Sequence, residues 1–126
     1  MDATPLMRAL LADTSVWVAH LRGHDPAFAA ELDAGHVLMH PAIMGELATL
    51  NLKDRDNLLH LMRSLPAASE ASHEDVLDML TDETTPARGL GLTDIQLLRA
   101  AQLDRARFWS RDAEVAAAAD QLGLLV

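Results

Sequence analysis

The sequence predicts an α/β domain with a central, mostly parallel β-sheet flanked by helices. Three observations point to it. Short apolar runs at residues 9–12, 37–39 and 107–109 alternate with stretches of helical periodicity. These runs show little polar alternation, the pattern of strands covered on both faces. Acidic residues stand just after the first and the last of them, and ligands in such sheets bind beyond the C-terminal ends of the strands.

Residues 1–5 read as a loose start. Residues 9–12, Ala-Leu-Leu-Ala, form a buried strand that ends at Asp13-Thr14-Ser15. The helix over 16–21 is apolar on most sides, which suits an element packed on a sheet. Residues 22–26 turn the chain. The next helix, 26–34, has Pro26 early and Gly35 just past its end, the usual asymmetry of helix termini.

Residues 37–39 form a second strand, and Pro41 opens a helix to about Leu50. A helix over 54–65 carries Leu58, Met62 and Leu65 at helical spacing and stops at Pro66. Residues 67–71 are expected as a short strand of poor propensity, and Ser72 starts a helix to about Thr81. Pro86, Gly89 and Gly91 mark 84–92 as a loop. A helix over 93–103, a strand over 107–109, a helix over 112–122 and a last strand over 124–126 complete a single domain, 1–126, without internal repeats.

Charge narrows the function. Ten Lys and Arg stand against nineteen Asp and Glu in 126 residues, a net −9, and Lys53 is the only lysine. A passive nucleic-acid binder needs a basic field to displace counterions from phosphate. This chain lacks one, so polyanions are repelled wherever the acids are evenly spread. With no cysteine there is neither a disulfide framework nor thiolate chemistry, in keeping with a reducing compartment. No apolar run approaches the ~18 residues of a membrane span and no basic leader precedes one, so a cytoplasmic protein with no membrane contact is expected.

Four acids stand in unusual places. Asp13 follows the first strand directly, where a plain helix cap is an equally good account of it. Glu46 lies on the helix whose apolar face is Ile43, Leu47 and Leu50; at ~100° per residue it falls about 60° from Ile43 and about 40° from Leu50, at the border of the buried stripe. Gly45 beside it weakens a helix interior by about 1 kcal/mol and permits close approach of a backbone or ligand. Asp94 shares a face with Leu97, Leu98 and Ala101; Thr93 and Gln96 are spaced as a capping box, so Asp94 is not needed as a cap. Asp112 opens the last helix, where an ordinary N-cap explains it well.

Three of the four come at strand ends or helix starts, which an α/β sheet gathers on one edge. Carboxylates converging at ~5 Å repel by about 3 kcal/mol per pair at an effective dielectric near 20, and their pKa values rise. A divalent cation relieves that repulsion. Hard oxygen donors suit Mg²⁺ or Mn²⁺, and no cysteine or paired-histidine motif competes for zinc. Such a metal polarises phosphoryl oxygens and acidifies bound water, so the expected reaction is phosphodiester hydrolysis.

In Leu11-Ala12-Asp13-Thr14-Ser15-Val16-Trp17, Gly45-Glu46-Leu47, Gly89-Leu90-Gly91-Leu92-Thr93-Asp94 with Gln96-Leu97-Leu98, and Trp109-Ser110-Arg111-Asp112, the chain resembles the PIN-domain ribonucleases, specifically VapC-type toxins of bacterial toxin–antitoxin pairs. The resemblance covers residues 10–125 and rests on the order and spacing of these fragments. It implies a PIN-like fold and a metal-dependent endoribonuclease that cuts RNA, often at one site in a tRNA or rRNA. Asp13, Glu46, Asp94 and Asp112 would form the acidic metal site for Mg²⁺ or Mn²⁺, with Ser110 and either Thr14 or Ser15 supporting it. It also implies homodimers and a VapB-type antitoxin that sends a basic segment toward the acidic pocket.

RNA grip would then fall to a few arginines, with Arg22, Arg88, Arg99 and Arg111 nearest the motifs; as surface charges or helix pairs they need no such role. The six histidines show no ligand spacing. Two other function classes remain. A receiver or haloacid-dehalogenase-like phosphotransfer domain also places an Asp after its first strand. The phosphatase needs a second Asp where this chain has Ser15, and both need a late lysine, yet none follows Lys53. An inactive acidic domain that binds a basic partner peptide is the third reading.

Overall fold

The computed structural model describes residues 9–125. The expected loose start at 1–5 and the terminal Val126 lie outside them. At the centre is strand β1 (Leu10–Ala12), with β2 (Val37–Leu38) on one side and β3 (Arg107–Trp109) on the other, all parallel. The register pairs Leu10 with Val37 and with Arg107, and Ala12 with Trp109. Leu10, Leu11 and Ala12 of this central strand are all fully buried, the pattern of a parallel strand covered on both faces.

Seven helices flank the sheet among the described residues: α1 (Thr14–Gly23), α2 (Pro26–Asp33), α3 (Pro41–Ala48), α4 (Arg55–Ser64), α5 (His73–Leu80), α6 (Leu92–Asp104) and α7 (Ala113–Gln121). This is the α/β arrangement expected of a PIN-like domain. None of the helices is long and apolar enough to cross a membrane. The core joins the sheet to α1, where Trp17 meets Phe28 of α2 edge-on at 4.9 Å, and to α6. In α6, Ile95, Leu97, Leu98, Ala100 and Ala101 are all buried, so this helix is covered on more than one side.

Three expectations are corrected. The strand at 67–71 shrinks to one parallel bridge, Met39 to Ala67, because the next amide in reach, Ser69 N, donates instead to Asp104 Oδ2 at 2.7 Å. Leu124 and Leu125 form no strand: Gly123 (φ 76°) turns the chain after α7, and one bond, Phe108 N to Leu124 O at 2.6 Å, ties it to β3. The capping box at Thr93 and Gln96 is also absent. Helix α6 begins one residue earlier, with Gly91 as an N-cap lacking any side-chain acceptor. Asp94 therefore occupies the third position of the helix and is the only acid in its first turn.

Candidate active site

The site grows from the exits of β1 and β3. Because these strands are parallel neighbours in register, the residues that follow them emerge side by side. Asp13 N donates to Trp109 O at 3.0 Å, which extends the ladder one step beyond the strands. Asp13 is nearly fully buried, and its Oδ1 accepts from Val16 N at 3.4 Å and from the Ser15 hydroxyl. The helix-cap account of Asp13 is thus correct as far as it goes. It occupies one carboxylate oxygen and leaves Oδ2 without a hydrogen bond among the described residues.

Asp112 repeats the arrangement at the exit of β3. Its Oδ1 caps α7 by accepting from Glu114 N at 2.9 Å and Val115 N at 3.4 Å, and Asp112 N donates to Ser110 Oγ at 3.0 Å. Ser15 links the two exits. Its hydroxyl donates to Asp13 and accepts from Arg111 N at 2.9 Å.

Glu46 departs from expectation. Helix α3 buries Ile43 and Leu47, while Glu46 is exposed and does not look inward. Its carboxylate is instead held by Thr14, whose hydroxyl donates to Oε1 at 2.8 Å. A Cβ at Gly45 would meet open space, so no described residue uses that gap.

Asp94 is half-buried and its carboxylate accepts no hydrogen bond among the described residues. Its pKa is raised above the usual aspartate value, first by burial and then by repulsion from Asp13, Asp112 and Glu46. Among the described residues no arginine or lysine offsets those causes. The four sequence-selected acids therefore share one electrostatic environment, with Thr14, Ser15 and Ser110 each bonded to one of them.

Among the described residues no three such groups close into a preformed metal cage. A Mg²⁺-type ion requires no such cage, since one or two carboxylates with water and substrate phosphate suffice. In kind, the donors fit a hard divalent cation: they are all oxygen, and Oδ2 of both Asp13 and Asp112 is left open by the caps.

The sequence reading passed over His40. It is buried just before Pro41, and its Nδ1 accepts from Ala42 N at 3.0 Å, capping the helix that carries Glu46. A polar residue directly before a proline at a helix start was the available signal.

No family model matches the chain. It is similar to ribonuclease VapC32 of Mycobacterium tuberculosis, 35% identical over 116 residues that span 91% of this chain and 94% of that protein. The same identity and coverage hold for that ribonuclease in strains CDC 1551 / Oshkosh and ATCC 25618 / H37Rv.

Proposed function

Since this chain belongs to the VapC family of PIN-domain ribonucleases, we propose that it is a metal-dependent endoribonuclease toxin, hydrolysing phosphodiester bonds in RNA at the site formed by Asp13, Glu46, Asp94 and Asp112. The observation that carries this reading is the unpartnered Asp94 carboxylate, destabilised by the other three acids. Asp13, Asp94 and Asp112 would hold Mg²⁺ or Mn²⁺, with Glu46 completing the set. When bound, the ion would neutralise developing charge on phosphoryl oxygens and acidify water at the site.

The protein's own contribution is placement. Caps fix one oxygen of Asp13 and of Asp112 against a helix start, so the other can serve a ligand without reorganising. Ser15 locks the β1 exit to the β3 exit, and Thr14 restrains Glu46, an exposed side chain that would otherwise sample many rotamers. The same reading takes RNA of the tRNA or rRNA class as substrate and a VapB-type antitoxin whose basic segment would fit the same acids, in keeping with family membership. A homodimer is part of the same proposal.

The test is cleavage of total RNA with Mg²⁺ or Mn²⁺, followed by mapping of new ends. Cleavage should vanish in excess chelator and in Asp13→Asn and Asp94→Asn proteins that still fold. Undiminished cleavage in chelator would refute the metal-dependent reading.

A further inference from the structure

We propose that Arg111 is the phosphate contact of the acidic site, the residue through which the protein's own positive charge meets the RNA strand; this rests on the ribonuclease reading above. Of the arginines near the motifs, two have structural work. Arg88 Nη2 donates to Leu80 O at 2.9 Å, and Arg99 Nη1 donates to Gln102 Oε1 at 3.1 Å. Arg22 lies in the last turn of α1, which starts at the acidic edge and carries it roughly 12 Å away at 1.5 Å per residue.

Arg111 differs from all three. Its backbone amide is fixed at the acidic edge by Ser15 Oγ at 2.9 Å, the same hydroxyl that donates to the Asp13 carboxylate. It stands between Ser110 and the capping Asp112, while its guanidinium is exposed and makes no hydrogen bond or ion pair among the described residues. Arg88 and Arg99 each close on a neighbouring acceptor, and the Arg111 guanidinium closes on none among the described residues. This one leaves its five donors available on a backbone anchored at the edge where acids that repel RNA gather. A guanidinium fork binds phosphate oxygens bidentately, and a contact made equally in ground and transition states lowers KM without changing kcat.

The experiment compares the full chain with Arg111→Met, Arg111→Lys and Arg105→Met, the last just past the end of α6 remote from Asp94. Two readouts are taken: cleavage kinetics in Mg²⁺, and anisotropy of a labelled single-stranded RNA in Ca²⁺ over a salt series. Arg111→Met should raise KM about tenfold with kcat within about twofold, at an unchanged melting temperature. It should also flatten the plot of log affinity against log salt by about 0.7, one phosphate contact on a single strand. Arg111→Lys should keep the slope and recover part of the KM, and Arg105→Met should match the parent. An unchanged KM and slope in Arg111→Met, or an equal change in Arg105→Met, overturns the proposal. If the parent binds RNA but never cuts it, the nuclease reading fails while the salt slope still decides the role of Arg111.

Discussion

The hydroxyl of Thr14 reaches across thirty-two residues of sequence to hold Glu46 Oε1 at 2.8 Å. The bond joins the first turn of α1 to an exposed face of α3, so Glu46 of the proposed site is tied to the residue that directly follows Asp13. Replacing Thr14 by Val removes the donor while preserving shape. Because the pair is exposed, stability should change by less than about 1 kcal/mol. RNA cleavage should fall about tenfold, and parallel melting and cleavage assays separate the two effects.

Asp94 should make the apo protein more stable when its charge is removed. Its folded pKa lies above the unfolded value, so the stability it contributes is fully present below pH 3.8 and is lost as pH rises through the folded value. Asp94→Asn abolishes that loss. Thermal melts in chelator should show the variant melting a few degrees higher than the parent at pH 7 and converging with it in acid. A variant that melts lower at pH 7 would assign Asp94 to holding the fold.

His40 sets an opposite dependence. Burial lowers its pKa, partly offset by the nearby Glu70 and Asp104 carboxylates, and its Nδ1 must stay unprotonated to cap α3. Its stabilising contribution is present above pH 6.5 and is lost as pH falls through the folded value. His40→Asn, which can cap without titrating, should remove this component from melts between pH 7 and pH 5.

Glu31 and Arg107 form a bidentate pair, with Nη2 to Oε1 at 2.6 Å and Nη1 to Oε2 at 2.9 Å, and His36 Nδ1 lies 2.8 Å from the same carboxylate. The guanidinium bonds hold the Glu31 pKa down to about 2, against the effect of burial. The stability of this pair is present above pH 4.5 and is lost as pH falls toward the folded value. Arg107→Met should destabilise by ~1.5–3 kcal/mol in denaturant melts. Arg107 begins β3 and the acids follow its end, so cleavage well below the melting temperature should be retained.

The buried strands were legible because burial acts on every residue of them. Residues 107–109 fold as β3 with the expected bounds, and the run at 9–12 contains β1. The failures fall where tertiary partners decide. Nothing local announced that Asp104 would claim the Ser69 amide and end the ladder at Ala67. The Thr93 signal failed because α6 starts one residue before it, a difference that composition cannot resolve. Glu46 was placed at the margin of its helix by periodicity, but its tie to Thr14 depends on how α1 and α3 pack. The acids stand out in the sequence because charge beside an apolar run is anomalous, whereas the bonds of Ser15 and Arg111 belong to a register seen only once the sheet forms.

The capping by Asp13 and Asp112 also bears on how the proposed site can decay. Each carboxylate caps a helix with one oxygen, and asparagine caps as well as aspartate while alanine weakens the helix by about 1 kcal/mol. A descendant released from the need to cut RNA, yet still required to fold, is expected to drift to Asn at these two positions and to keep a silent imprint of the lost site in its helix starts.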